Sequence, residues 1–268
     1  MCNSKLMCYH LLVISIVTIV LNGCASSVQT VSFASAAAGS PEKVIAYEYK
    51  PEGEGPFPAV VVMHAGGGMY DSRGNIYKSQ LDWAWRLRNW GYVVFMVDTY
   101  GAREYSNVKQ IGNIREAADQ LSDAYGAFNY ISELPYIDAD RIGILGWSRG
   151  GLTVINVMEE PGHFQNIMHL SLQKRGLFRA GVAMYPVCRN HFETTLKGPL
   201  LILIGERDTA IWDCERIAEN TSPDGHPAHI KIYPGAPHSF DNPRGYNAKA
   251  TKDARNQVNQ FFEKYLGN

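Results

Sequence analysis

Gly146-Trp147-Ser148-Arg149-Gly150-Gly151 follows directly on the apolar run Arg141–Leu145, and the reading of that junction decides the fold. A G-x-S-x-G pattern between a strand and a helix is a nucleophile elbow. Its glycines permit a turn too tight for side chains, and the turn lifts the serine hydroxyl above the end of a sheet. Such a serine requires a base, an orienting carboxylate and an oxyanion hole, each at another strand end.

On both sides of the elbow, short β-rich runs alternate with helical patterns. The strands expected are Lys43–Tyr49, Ala59–Met63, Tyr92–Val97, Arg141–Leu145, Ala180–Tyr185, Leu200–Ile204 and His229–Tyr233. Several are unbroken apolar runs, as strands covered on both faces of a parallel sheet must be. Helical stretches fall at Tyr77–Trp90, Ile111–Leu134, Gly151–Met158, Asp213–Asn220 and about Ala248–Tyr265. The last places Val258, Phe261, Phe262 and Tyr265 at spacings of three and four. Alternation of this kind predicts an α/β fold, a mostly parallel twisted sheet with helices on both faces. Function in such sheets gathers beyond the carboxyl ends of the strands.

Those strand ends supply the partners. Gly205-Glu206-Arg207-Asp208 follows Leu200–Ile204, and Pro234-Gly235-Ala236-Pro237-His238 follows His229–Tyr233. His238 is expected to act as base and Asp208 as the carboxylate that holds its tautomer, with Glu206, Asp213 and Asp241 as neighbouring acids. Asp213 suits the first turn of the next helix instead, where its charge meets the dipole. His64-Ala65-Gly66-Gly67-Gly68 follows Ala59–Met63 and offers a backbone oxyanion loop. The two amides expected there are those of Gly66 and Arg149. His64 is read as a brace for that loop in preference to a second base.

Around this centre, Arg103 is a candidate clamp for a substrate carboxylate, with a structural pairing to an acid such as Glu104 as the alternative. Tyr100, Trp147 and Tyr185 are candidate pocket walls, with core packing as the alternative.

The amino terminus reads as an address. A polar start with Lys5 precedes the apolar run Leu11–Leu21, too short to span a bilayer comfortably. Leu21-Asn22-Gly23-Cys24 resembles the bacterial lipobox, which implies cleavage after Gly23 and a lipid on Cys24. An ordinary signal peptide or an uncleaved anchor is the alternative. The expectation is therefore a lipid-anchored protein of the bacterial cell envelope, and Ala25 favours the outer membrane. Residues 1–23 form the signal, residues 24–40 a flexible tether rich in Ser, Ala and Thr, and residues 41–268 one domain.

The chain has five cysteines and a formal charge of −1. Charge gives no case for nucleic acid or an anionic membrane surface, and no Cys/His cluster has metal-ligand spacing. Cys188 and Cys214 lie in loops after neighbouring strands, so they are expected to pair in an oxidising compartment, with two buried thiols as the alternative. Nothing in the sequence assigns an oligomeric state.

Taken in order, the His-Ala-Gly-Gly-Gly loop, Gly91-Tyr92-Val93-Val94, Val97-Asp98-Thr99-Tyr100-Gly101-Ala102-Arg103, Asp138-Ala139-Asp140-Arg141-Ile142-Gly143, the elbow, Met184-Tyr185-Pro186, Gly-Glu-Arg-Asp and Tyr-Pro-Gly-Ala-Pro-His-Ser-Phe-Asp resemble the dienelactone hydrolase family. The resemblance implies the α/β-hydrolase fold, the triad Ser148, Asp208 and His238, and no metal or organic cofactor. Two departures matter. The name-giving enzymes carry a cysteine where Ser148 stands, and a glutamate controlling that thiol where Ala65 stands. Serine with full Asp–His support points to ordinary ester or lactone hydrolysis through an acyl-enzyme. Prolyl-oligopeptidase relatives share Gly-Trp-Ser-x-Gly-Gly but add a large propeller, for which this chain is too short. A binding module that kept the fold is the remaining alternative.

Overall fold

The computed structural model describes residues 28–37, 42–105, 107–110, 112–159, 178–188, 195–221 and 225–267. The signal sequence and Cys24 lie outside the described residues. Among those described, no helix is long and apolar enough to cross a membrane.

Eight strands form one sheet: β1 Val28–Ala34, β2 Lys43–Tyr49, β3 Phe57–Met63, β4 Val93–Asp98, β5 Ile137–Trp147, β6 Ala180–Met184, β7 Leu200–Gly205 and β8 Ala228–Tyr233. Their order is β1-β2-β4-β3-β5-β6-β7-β8. β1 and β4 both pair antiparallel with β2, and every other pairing is parallel. The helices are α1 Lys78–Asn89, α2 Asn113–Ile131, α3 Arg149–Met158, α4 Ile211–Glu219 and α5 Ala248–Leu266.

The central strands are apolar on both faces because both faces are covered. In β3, Ala59, Val61 and Met63 join the core beneath α2, α3 and α4, whereas Val60 and Val62 join the core beneath α1 and α5. Burial of each such aliphatic side chain contributes about 1.5–3 kcal/mol. α5 presents Val258, Phe262 and Leu266 to the sheet at helical spacing. Gly143 leaves room for Phe262 and Leu266, whose side chains a Cβ there would strike.

The tether expected over residues 24–40 is corrected. Val28–Ala34 is a strand, paired with β2 from Val28↔Tyr49 to Ala34↔Lys43. Its composition resembles a linker, but its core-facing positions alternate: Val31 packs against the core and Phe33 is buried in it. The chain then stays docked, with Ala36 N–H donating to the Ser122 carbonyl at 3.0 Å. The domain therefore begins by Val28, not residue 41.

β3 is followed by β4 on one side of it and by β5 on the other. That reversal opens a crevice beyond the carboxyl ends of β3 and β5. The His64 loop and the Ser148 elbow both emerge there.

Candidate active site

Ser148 stands between β5 and α3 with φ 53° and ψ −105°, a left-handed conformation that costs a non-glycine residue about 1–3 kcal/mol. Three bonds hold it. Its N–H donates to the Met184 carbonyl at 2.9 Å, and its carbonyl accepts from Leu152 and Val187 at 3.0 and 3.3 Å. The flanking glycines are required by contact: a Cβ on Gly146 would strike the Gly150 carbonyl, and one on Gly150 would strike the Met63 carbonyl. Gly150 thereby lets the elbow pack directly against the end of β3.

His238 connects Ser148 to Asp208. Its Nδ1 lies 2.6 Å from Asp208 Oδ2 and its Nε2 lies 3.1 Å from Ser148 Oγ. A carboxylate only accepts, so Nδ1 carries the proton and Nε2 is left to receive one from the serine. Asp208 is buried, and its other oxygen accepts from Ala210 N–H at 3.0 Å. The two loops are tied together. Gly235 N–H donates to Glu206 Oε2 at 2.8 Å, and Arg207 N–H donates to the Ala236 carbonyl at 3.0 Å. Glu206, one of the competing acids, thus links the loops, while Asp213 lies in the first turn of α4 as expected.

The loop after β3 is braced from several sides. His64 Nδ1 donates to the Ala65 carbonyl at 2.8 Å, and that carbonyl also accepts from Gly68 N–H at 2.9 Å. In a trans peptide the C=O and N–H point oppositely, so fixing the Ala65 carbonyl also fixes the direction of the Gly66 N–H. Gln120 Nε2 donates to the His64 carbonyl at 3.3 Å, and Thr153 holds the Gln120 carboxamide oxygen at 3.0 Å. Burial holds the His64 imidazole below its ordinary value, so it stays neutral with Nε2 unprotonated. Arg149 opens α3, and amides in a helix's first turn point out of the helix end, where negative charge is favoured.

The sequence matches the Dienelactone hydrolase family over residues 44–266. The chain belongs to the dienelactone hydrolase family. It is accordingly a hydrolase of the ester and lactone type. A Bradyrhizobium protein provisionally named a 2-oxo-3-(5-oxofuran-2-ylidene)propanoate lactonase is 29% identical over 212 residues, covering 74% of this chain and 79% of that protein. A Klebsiella pneumoniae structure, provisionally described as a dienelactone hydrolase, superposes with a TM-score of 0.65 at 21% identity. It covers 89% of this chain and 100% of its own. Porphyromonas gingivalis dipeptidyl peptidase 4 superposes with a TM-score of 0.63 at 21% identity over 90% of this chain, but over only 36% of its own length. At these identities the two structures speak to the fold alone.

In this dienelactone hydrolase-family chain, the four side chains read as candidate substrate contacts all make contacts within the fold. Arg103 is engaged: its guanidinium grips both oxygens of the buried Asp123 at 2.9 Å and donates to the Thr99 carbonyl at 2.7 Å. Its acidic partners are Asp123, twenty residues away, and Asp119 at 3.6 Å, and not Glu104. Tyr100 is buried with its ring against His64, centroids 4.4 Å apart. Trp147 and Tyr185 are buried as well, and both donate to Asp241.

Asp241 is the residue that sequence reasoning undervalued. It is buried and accepts from Tyr185 Oη at 2.6 Å, from Trp83 Nε1 at 2.8 Å and from Trp147. Burial pushes its carboxyl up, and the donated bonds oppose that rise. The signal available in sequence was its place three residues after His238.

The expected disulfide is borne out: Cys188 and Cys214 are bonded, with Cα atoms 5.1 Å apart. It ties the segment after β6, whose Val187 amide holds the Ser148 carbonyl, to α4 beside the Asp208 turn. Among the described residues no cluster of His, Cys, Asp or Glu is arranged to hold a metal ion.

Proposed function

We propose that this chain is a serine hydrolase that cleaves a carboxylic ester or lactone through an acyl-enzyme formed on Ser148. The observation that carries the reading is the continuous chain Asp208–His238–Ser148, with spacings of 2.6 and 3.1 Å. His238 Nε2 takes the hydroxyl proton as Ser148 Oγ bonds to the carbonyl carbon. The resulting oxyanion is received by the Gly66 and Arg149 amides. Collapse breaks the C–O bond, and His238 returns the proton to the departing alkoxide. In a lactone that alkoxide stays attached through the ring chain. Water, deprotonated by His238, then releases the acid and restores Ser148. Asp208 holds the imidazole in place and stabilises the imidazolium that forms at each transfer.

The lipobox-like Leu21-Asn22-Gly23-Cys24 supports a location for this reaction in the bacterial cell envelope, on a lipid-anchored protein. Ala25 favours the outer membrane.

A second reading is a serine peptidase, favoured by the fold shared with dipeptidyl peptidase 4 and by the Gly-Trp-Ser-x-Gly-Gly elbow. A panel of p-nitrophenyl esters of graded chain length, simple lactones and short peptide amides tests both, with Ser148→Ala as control. Turnover of esters or lactones lost in the variant is expected. Turnover confined to peptide amides transfers the assignment to the peptidase. Turnover of none of the three by the folded protein leaves the non-catalytic binding module.

A further inference from the structure

We infer that the end of the sheet carrying the amino termini of the parallel strands rests on the bilayer holding the anchor, so that the Ser148 site opens away from that bilayer. The inference rests on the proposed lipidation of Cys24. Its independent ground is the direction of β1.

Val28 pairs with Tyr49, and Tyr49 pairs with Val94 at the start of β4. At the other end Ala34 pairs with Lys43, and Ile45 with Asp98 at the finish of β4. β1 therefore runs with the central strands, and its first residue lies at the end of the sheet opposite Ser148, Asp208 and His238. Only Ala25, Ser26 and Ser27 separate Cys24 from Val28. Fully extended, that stretch reaches at most about 14 Å. A strand of six or seven residues is itself about 20 Å long. The anchor is thus held close to one end of the sheet, and its leash is shorter than the distance to the catalytic end.

The surface around Val28 has the chemistry of a membrane–water boundary. Val28 is 44% exposed and Trp85 36%. The Tyr49 ring, across from Val28, meets Trp85 edge-on at 5.3 Å, and the Arg88 guanidinium lies over Trp85 at 5.5 Å. Arg88 Nε donates to the Lys50 carbonyl at 3.0 Å, and Lys50 Nζ lies over the Phe57 and Tyr136 rings at 5.0 and 5.4 Å. The buried Tyr49 ring braces Trp85, and an exposed tryptophan beside arginine and lysine suits the headgroup layer, where one side of each group is apolar and the other wet. Glu52 and Glu54 are exposed in the adjoining loop and offset part of the attraction to anionic lipid. The anchor therefore supplies the affinity and the patch sets the orientation. Substrate then arrives from the aqueous side, as a water-borne ester or lactone and not as a lipid of the supporting membrane.

The exposed Trp212, 76% accessible at the start of α4, is a built-in control because it lies at the catalytic end. The full-length lipidated protein is reconstituted into phosphatidylethanolamine–phosphatidylglycerol vesicles containing lipid brominated near the headgroup. Tryptophan quenching is compared among wild type, Trp85→Phe and Trp212→Phe, alongside the intact mass of the mature chain and of Cys24→Ala. The expected result is quenching that survives Trp212→Phe and falls to less than about half in Trp85→Phe. A soluble p-nitrophenyl ester should be turned over at the same rate by the vesicle-bound protein. Quenching that survives Trp85→Phe but is lost in Trp212→Phe would overturn the orientation, as would no quenching in a chain whose mass shows lipid. A mature chain without lipid overturns the anchor itself and is distinguished from those outcomes by mass alone.

Discussion

Tyr185 donates its phenolic hydrogen to Asp241 at 2.6 Å, and the same ring meets the His238 imidazole edge-on with centroids 5.0 Å apart. The buried carboxylate thus governs the wall against which the proposed base rests. Through Trp147 it also holds the residue immediately before the proposed nucleophile.

Asp241→Asn replaces one acceptor oxygen with an amide that faces donors. Hydrogen bonds to a charged group are each worth about 1.5–3 kcal/mol, so urea unfolding should show a loss of about 2–3 kcal/mol. Displacement of His238 and Ser148 should lower kcat roughly ten- to a hundredfold with little change in KM. A variant with normal kcat would show that this carboxylate serves stability alone.

Arg103→Met leaves Asp123 buried without its cation. Breaking a buried pair costs about 3–5 kcal/mol, so the midpoint of thermal unfolding should fall sharply. The KM ratio between anionic and neutral esters should not move. A selective rise in KM for anionic esters at unchanged stability would restore Arg103 as a substrate clamp.

His64 gives the protein a defined acid sensitivity. Its folded value is depressed by burial from an ordinary 6.5. The unfolded chain therefore binds the extra proton first. The contribution to stability is complete above about pH 6.5 and declines as pH falls below it towards the folded value. Urea midpoints between pH 7.5 and 5 should fall more steeply for wild type than for His64→Gln. Buried carboxyls such as Asp123 and Asp241 are pushed up and shift stability the opposite way at lower pH, and the comparison with the variant cancels them. Parallel slopes would contradict a neutral, buried His64.

The Cys188–Cys214 bond spans a sequence separation of 26 residues. Loop-closure entropy for that length predicts about 3.5 kcal/mol of stabilisation. Cys188→Ala/Cys214→Ala should unfold at correspondingly lower urea and lose activity, because the Val187 and Asp208 segments lose their tie. Non-reducing peptide mapping that recovers both thiols free from the wild-type protein would remove the bond from the account.

The sheet was legible because Val60–Val62 and Leu200–Ile204 are apolar without alternation, as only strands covered on both faces are. Ser148 and Asp208 could be proposed because each closely follows such a run, and His238 because it lies in the loop after the alternating edge strand β8. β1 was hidden by composition: its Ser, Thr and Gln positions face solvent, and only Val31 and Phe33 reveal the alternation. The surroundings of the site were illegible for a different reason. Arg103 meets Asp123 and Trp83 meets Asp241 through packing across 20 and 158 residues of chain, and local spacing carries no trace of either partner.

The most direct measurement of the central claim is labelling by a fluorophosphonate probe followed by peptide mass spectrometry. The account predicts one phosphonyl adduct, located on Ser148, formed by the folded wild type and absent from an equally folded Ser148→Ala protein. A folded wild type that stays unlabelled, or a Ser148→Ala protein that labels as fast, would contradict it.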